Sequence, residues 1–328
     1  MYIVALKSLA ASSTSTPPIF TAPSPPSFKT PTPSVPPTLP PIVLPSGGGS
    51  CSGTAVSPGQ SLSSAISSLG SGQTLCVHGG TYGKLTVTIP SGATVKAFPG
   101  EKPWVEGLSS ITGSSGSVMD GINFRWGSDS YGPHMVSMKG SGWTYINGEI
   151  GPSHGYANVL VSGGASNFRI ANCYIHDNTN GGHTDVQDHL IYVSEASSGI
   201  IERCLFINSP RGRGIKMGPP DGSGGPKNIT IRYNTFYNNL GPSNMQVSGD
   251  TSGVKMYRNI LVKSGASTNI TDATNSKSGN SAYENVGDGS GGVAASSLGT
   301  GNIKLDPQLD SNFRPTNPAA AAYGRYAP

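Results

Sequence analysis

Short strands separated by turns dominate the hydrophobic pattern of this chain. Beyond residue 74, apolar and polar positions alternate over a few residues at a time, and the runs end in turns rich in Gly, Ser or Asn. Residues 84–89, followed by Pro90-Ser91-Gly92, are one example, and a period of two is typical of β-strands. One segment differs, because apolar residues between positions 62 and 69 recur at i, i+3, i+4 and i+7. This spacing predicts one short amphipathic helix.

Two families of strand-like segments recur along the chain. In the first family, five segments that begin at residues 145, 170, 201, 231 and 256 align with one another. Their fourth positions form a column whose members are 25 to 31 residues apart in sequence: Gly148, Cys173, Cys204, Asn234 and Asn259. The second family lies between these segments and consists of three-residue strands, each followed by a turn. Its members begin at Val136, Val159, Ile191, Ile215 and Met245.

This internal repeat decides the predicted fold. A repeat of this length with several short strands cannot bury a hydrophobic core alone, whereas stacked coils pair every strand with its neighbours above and below. The sequence therefore predicts an all-β solenoid, a parallel β-helix, over residues 51–328. Open ends of such a helix need covers, so we expect an N-terminal cap at 51–80, including the predicted helix, and a C-terminal capping tail at 280–328.

The first fifty residues have a different composition. Residues 17–45 contain 12 of the 27 prolines, and three consecutive glycines follow. Such a segment cannot bury a core, so residues 17–50 are interpreted as a Pro/Ser/Thr/Gly-rich stalk; a leader without a role is the alternative. Residues 1–16 are a candidate truncated signal or leader. No run reaches the roughly 18 apolar residues of a membrane span, and we expect a secreted or cell-surface protein.

Composition and cysteine positions narrow the possibilities further. Net charge is +4 and charged residues make up 12% of the chain, which gives no electrostatic case for a nucleic-acid partner. Cys51 and Cys76 flank the predicted helix, so a disulfide between them is predicted, worth about 3 to 4 kcal/mol by chain entropy. Cys173 and Cys204 occupy the same repeat position. They either pair or form part of a buried stack.

Two local motifs resemble a known superfamily. Gly79-Gly80-Thr81-Tyr82-Gly83, followed by residues 97–103, is similar to the first coil of the secreted right-handed parallel β-helix proteins, the pectate-lyase-like superfamily. Residues 306–310 and 313–318 are similar to the end of that fold. The resemblance covers roughly residues 51–328 and implies a right-handed helix. It does not specify chemistry, because the superfamily includes lyases, hydrolases, epimerases and adhesins.

The second strand family places one residue per coil on an outer face. If the flanking apolar residues point inward, alternation turns the middle residues outward. These are Ser137, Leu160, Tyr192, Lys216 and Gln246. The loops at 151–156, 178–187 and 209–212 all lead into these strands, so polar side chains are expected beside this ladder. It is the best candidate site in the sequence.

The residue types at this ladder fit β-elimination on an acidic polysaccharide. That reaction removes the proton beside a uronate carboxylate, so it needs a cation that neutralises the carboxylate and a base near the carbon. Lys216, together with Arg211 and Arg213, meets this need. Tyr192 is the predicted proton donor to the leaving oxygen, and His189 is the competing base. Calcium ligands are predicted at Asp177, Asp185 and Asp188, and substrate contacts at Gln246, His154 and His183.

Three other interpretations stay open. In the first interpretation, the arginines and aspartates of this region form ion pairs that have only a structural role. In the second, the protein is a hydrolase, which requires two carboxylates beside the bond; Gly214-Ile215-Lys216 is only faintly similar to a hydrolase lysine motif. In the third, it is a non-catalytic surface or appendage protein that binds glycan or assembles with itself. The favoured function is a secreted, polysaccharide-active β-helix protein that cleaves uronate-containing glycans.

Overall fold

The computed structural model describes residues 50–129, 134–179, 188–219, 224–275 and 279–328, and within them three long sheets of parallel strands alternate along the chain. Sheet 1 consists of Thr54–Val56, Thr74–Val77, Thr94–Ala97, Val118–Asp120, Thr144–Ile146, Arg169–Ala171, Ile200–Glu202, Thr230–Arg232, Lys255–Tyr257 and Ser281–Tyr283. Sheet 2 consists of Gly80–Gly83, Pro103–Glu106, Asn123–Arg125, Glu149–Ile150, Tyr174–His176, Leu205–Ser209, Thr235–Asn239, Ile260–Val262, Val286–Gly287 and Ile303–Lys304. Sheet 3 consists of Thr86–Thr88, Ser109–Gly113, His134–Gly140, Ala157–Val161, His189–Val193, Ile215–Met217, Met245–Gly249, Thr268–Thr274 and Gly292–Ala294.

Each coil contributes one strand to each sheet in turn, which is the architecture of a right-handed parallel β-helix. A short two-stranded pair, Ala165–Ser166 with Ala196–Ser197, extends one corner. The apolar residues of all three sheets point into a continuous core that runs along the helix axis. The predicted fold class is therefore confirmed. Its physical basis is that stacking lets each short strand satisfy its backbone hydrogen bonds on both sides.

The corner between sheets 1 and 2 repeats the same backbone conformation from coil to coil. The third residue of every segment in the first repeat family has a positive φ, between 53° and 57°. These residues are Asn147, Asn172, Arg203, Tyr233 and Arg258. Non-glycine residues seldom adopt this region, so the conformation must be compensated. The next residue in each segment is the column residue, which is buried in all five segments.

The column residues lie one above another and form a buried ladder of hydrogen bonds. The amide of Cys173 donates to the Cys204 sulfur at 3.4 Å, and the amide of Cys204 donates to Oδ1 of Asn234 at 2.9 Å. The ladder continues through Asn259 and Asn285, with amide to Oδ1 distances of 3.0 Å at both steps. Both cysteines are free thiols. The alternative that they fill a buried stack is therefore the one that the structure adopts.

The N-terminal end of the helix is covered as expected. The α-helix Leu62–Ser67 begins after Ser61, whose hydroxyl accepts a hydrogen bond from the Ser64 amide at 3.1 Å. Leu62 and Ile66 are buried against the first coil. Cys51 and Cys76 are joined in a disulfide that ties the entry of the chain to sheet 1. Among the described residues, no helix has the length and apolarity to cross a membrane.

The C-terminal segment 280–328 has two parts. Residues 281–304 continue all three sheets, and the 3₁₀ helix Ser296–Leu298 lies near their end. The residues beyond fold back along the outer face of sheet 2 and include a second 3₁₀ helix, Pro318–Ala320. Phe313 packs there with Leu205 and Ile207 in a small separate cluster. The Arg203 guanidinium holds this tail by donating to the Ala327 carbonyl at 2.6 Å. We refer to the segment from residue 305 onward as the tail.

Candidate functional site

The outward residues of sheet 3 form the ladder that the alternation predicts. Ser137 pairs with Leu160, Leu160 with Tyr192, Tyr192 with Lys216 and Lys216 with Gln246, all in parallel register. Each of these side chains is partly exposed, whereas the residues on either side of them are buried in the core. The outer face of sheet 3 therefore presents one partly exposed side chain from each of these coils. We call this surface the groove face.

A second cation, Arg213, lies three residues before Lys216, just ahead of the start of its strand, near enough for its charge to act on the Lys216 ammonium. Partial burial, and then the neighbouring Arg213 charge, lower the pKa of Lys216. Burial lowers the pKa of Arg213 to about 10. The Arg213 side chain is 8% exposed, and its Nε has no hydrogen-bond partner within the described residues. An anionic group at this position would satisfy that donor and neutralise a cation that is costly to bury.

His189 lies directly beside this pair but is not placed to act as a base. Its Nδ1 accepts the backbone N–H of Arg213 at 3.1 Å, so the neutral ring carries its proton on Nε2. Complete burial, followed by the charges of Arg213 and Lys216 and by His134, holds the pKa of His189 well below its ordinary value. A base needs an available lone pair. His189 is therefore better described as a neutral group that positions the Arg213 backbone.

Tyr192 is the centre of a cluster of rings and cations. The Lys216 ammonium lies 5.3 Å from the centre of the Tyr192 ring. The rings of His189 and His134 lie 5.9 and 6.3 Å away, centre to centre. A phenol beside an ammonium and two neutral imidazoles is a suitable proton donor to a leaving oxygen. The predicted association of Tyr192 with Lys216 thus matches their positions on the groove face.

His134 belongs to this cluster although the sequence analysis did not select it. It is in register with Ala157, which is in turn in register with His189, so the two histidines lie two coils apart in one column. The signal was present in the sequence, because His134 precedes Val136 by two residues just as His189 precedes Ile191. Burial lowers the pKa of His134 to about 4. The ring is therefore neutral at ordinary pH.

Two of the three predicted calcium ligands, Asp177 and Asp188, lie in the described part of the chain. Asp177 lies at the end of sheet 2, where its carboxylate contacts His176 at 2.8 Å and accepts from Asn208 at 2.8 Å. Asp188 precedes sheet 3 and its side chain is fully buried. Asp185 lies outside the described residues, as does His183. Within those residues, no group of three His, Cys, Asp or Glu side chains is placed to hold a metal ion.

The remaining predicted residues divide between the groove face and its surroundings. Gln246 is the next rung of the ladder after Lys216. Arg211 is partly exposed, two residues before Arg213. His154 is exposed in the loop before sheet 3, where its Nδ1 lies 2.7 Å from the Thr179 hydroxyl and its ring meets Trp126 edge-on at 5.6 Å. His154 thus contacts neighbouring loops, and these contacts do not join it to Lys216.

Comparison with known proteins supports the fold. No protein-family model matches the chain, and no curated protein matches its sequence. The structure is similar to that of the pectate lyase Pel9A, with 14% identity, a TM-score of 0.54, and 74% of this chain and 72% of that chain covered. It is also similar to an alginate lyase from Paenibacillus sp. str. FPU-7, with 12% identity, a TM-score of 0.45, and 76% and 80% covered. A tailspike, gp49 from Acinetobacter baumannii bacteriophage Fri1, described as a capsular polysaccharide depolymerase, matches with 11% identity, a TM-score of 0.41, and 84% and 60% covered.

Proposed function

We propose that this protein acts on polysaccharide and cleaves uronate-containing chains by β-elimination on the groove face. The observation that carries the proposal is the buried Arg213 cation, whose Nε lacks a partner among the described residues, beside a lysine of lowered pKa. These two groups supply the charge neutralisation and the base that the reaction needs. A pectate lyase of the same fold is a relevant precedent for such chemistry on a β-helix.

Each step of the reaction has a group on the groove face or next to it. Arg213 binds the uronate carboxylate and makes the adjacent C–H more acidic. Neutral Lys216 takes that proton, a carbon–carbon double bond forms, and the bond to the glycosidic oxygen on the next ring carbon breaks. The Tyr192 hydroxyl gives its proton to the departing oxygen. Lys216 then carries the extra proton as an ammonium, and proton exchange with solvent restores both groups.

The environment of Lys216 suits this role. A lysine acts as a base only in its neutral form, and an ordinary pKa near 10.4 leaves very little of that form at neutral pH. Burial and the neighbouring Arg213 charge both disfavour the ammonium. Hydrolysis is a weaker candidate, because the ladder from Ser137 to Gln246 carries no carboxylate and hydrolysis needs two.

The test measures the unsaturated product by ultraviolet absorbance with pectate, alginate and glycosaminoglycans, with and without calcium. Lys216→Arg keeps the charge but removes the base, so we expect its rate to fall by about 10² to 10⁴-fold. Lys255→Arg is the matched control, because Lys255 is exposed on the outer face of sheet 1, and its rate should equal that of the wild type. No product from any acidic glycan would overturn the lyase proposal. Binding without cleavage would favour a passive glycan-binding protein.

Calcium and location are separate parts of the proposal. The Asp177 carboxylate contacts His176, and Asp188 is fully buried. We therefore derive no step through calcium. Activity in the presence of a chelator measures whether the ion is needed. We further propose that the protein works outside the cell. The Cys51–Cys76 disulfide supports this, since disulfides persist mainly in oxidising compartments, and cell fractionation tests it.

A further inference from the structure

The groove face differs in chemistry on the two sides of Lys216. Toward the C-terminal end, the next rungs are Gln246 and Thr271, both polar. Toward the N-terminal end, the rungs are Tyr192, Leu160 and Ser137. A chain that lies along the ladder therefore meets amide and hydroxyl groups directly on one side of the cations, and on the other side first the Tyr192 ring and the Leu160 side chain, before the Ser137 hydroxyl.

The aromatic side is built around Leu160 and Tyr192. Leu160 is partly exposed at the middle of its strand, with buried Val159 and Val161 on either side, so its side chain points outward. Ala157, on the same strand, is fully buried between the coils that carry His134 and His189. The small side chain of Ala157 leaves room for the Tyr192 ring to approach both histidines, within 6.3 Å of each.

Charge is scarce on this side of the groove face. In strands His134–Gly140 and Ala157–Val161, the titratable residues are His134 and Lys139. His134 is neutral at ordinary pH because burial lowers its pKa to about 4. The Lys139 stem runs toward the next corner, where its Cδ would lie 3.3 Å from a Cβ added to Gly163. Lys139 is therefore the one cation that these two strands offer, and a second carboxylate bound over Leu160 would lose water with only this exposed lysine, whose stem passes over Gly163, to compensate it.

We propose that the sugar bound over Leu160 and Tyr192 is uncharged and carries an apolar substituent, such as an N-acetyl or a 6-deoxy methyl group. This inference rests on the proposed function, because it places the uronate at Arg213 and Lys216. It specifies the substrate class as a polysaccharide in which uronates alternate with neutral substituted sugars. Polymers made only of uronates are poorer ligands, because every second residue would bring a carboxylate to the apolar side.

Binding of defined tetrasaccharides tests the inference independently of cleavage. Calorimetry compares a galacturonate tetramer with a tetramer that alternates glucuronate and N-acetylglucosamine. We expect the wild type to bind the alternating tetramer at least about tenfold more tightly, since one apolar group in a fitted pocket changes affinity by roughly 10 to 200-fold. Leu160→Asn should remove about tenfold of that preference, and Leu160→Met, of similar volume, should keep it.

Ile200→Asn is the matched control, because Ile200 is a partly exposed apolar residue on the outer face of sheet 1. Its preference should equal that of the wild type, and the unfolding midpoints of all variants establish that they fold. Equal binding of the two tetramers, or an unchanged preference in Leu160→Asn, would overturn the inference even if uronate polymers are cleaved. A preference for the alternating tetramer without any cleavage would support the inference and refute the lyase step. Failure to bind either tetramer would refute both.

Discussion

The buried asparagine ladder makes a quantitative prediction about stability. Asn259 is fully buried between Asn234 and Asn285. Its Oδ1 accepts from both the backbone amide and the side-chain amide of Asn234, each at 3.0 Å. Its Nδ2 donates to the Ile231 carbonyl at 3.0 Å and to Oδ1 of Asn285 at 2.9 Å. Asn259→Ala removes these contacts while the surrounding groups stay buried.

The size of the effect follows from the groups that lose their partners. Asn234 is fully buried, and leaving a buried backbone amide unsatisfied costs about 1 to 3 kcal/mol. The Asn234 side-chain amide keeps its bonds to the Ile201 and Arg232 carbonyls, so it loses less. The Asn259 Nδ2 also served three acceptors, the Ile231 and Tyr257 carbonyls and Oδ1 of Asn285, and with their loss we expect a total of about 3 to 5 kcal/mol. That is a large share of the roughly 5 to 15 kcal/mol that stabilises a typical domain.

Urea unfolding, followed by circular dichroism, measures this loss as a shift of the transition midpoint. Asn259→Cys is an informative companion, because the same column holds Cys173 and Cys204, and the Cys173 amide contacts the Cys204 sulfur at 3.4 Å. It should be destabilised less than the alanine variant. Asn312→Ala, at an exposed position of the tail, should lie within about 0.5 kcal/mol of wild type. A loss below 1 kcal/mol for Asn259→Ala would refute the argument that the side-chain hydrogen bonds of the ladder stabilise the fold.

Three further predictions concern the groove face, the ion pairs of His176 with Asp177 and Glu149, and the N-terminal cap. Arg213→Gln removes a charge that lowers the pKa of Lys216, so the rising limb of the pH–rate profile should move to higher pH; a limb at the wild-type position would contradict the role of Lys216 as base. Burial lowers the pKa of His176, but a hydrogen bond with the Asp177 carboxylate at 2.8 Å and an ion pair with Glu149 at 3.3 Å outweigh burial and raise it. Burial raises the pKa of these two carboxyls, but His176, together with Asn208 at Asp177 and Lys102 at Glu149, outweighs burial and lowers both. The contribution of protonated His176 to the free energy of unfolding is therefore complete below the unfolded pKa of about 6.5, and it is lost as the pH rises through the higher folded pKa. His176→Gln should thus lower the unfolding midpoint more at pH about 5.5 than at pH about 9. Reduction of the Cys51–Cys76 disulfide, which closes 25 residues, should cost about 3.5 kcal/mol, and a Cys51→Ser, Cys76→Ser double variant of unchanged midpoint would exclude that contribution.

The fold was predictable because its signal repeats. Each coil restates the same constraints, an outward residue between two inward ones and a column residue after a left-handed corner, so several weak patterns add to one strong one. The stacking of Cys173, Cys204 and Asn234 followed from their equal positions in the repeat. The C-terminal segment was harder to predict, since strands such as Val286–Gly287 and Ile303–Lys304 are only two residues long and have no periodicity to detect.

The candidate site was predictable only where it lies on strands. Register fixes Tyr192, Lys216 and Gln246 as neighbours, and the sequence pattern contains that register. Asp177 and Asp188 lie next to strand ends, where the direction of a side chain depends on the local turn, so the sequence pattern does not fix what their carboxylates contact. Asp177 illustrates this, because it follows sheet 2 and contacts His176. His134 was missed because it falls one coil before the stretch in which histidines are dense.

The separation of the rungs has a consequence for how this protein can change over evolutionary time. Because each winding supplies one residue to the groove face and pairs its strands with the windings above and below in the same repeated pattern, a whole winding that keeps this pattern can be duplicated or exchanged. Such an event would lengthen the groove face by a single sugar-sized step and leave Lys216 and Arg213 beside each other. New specificities would then arise by modular swaps, with the reactive centre inherited intact.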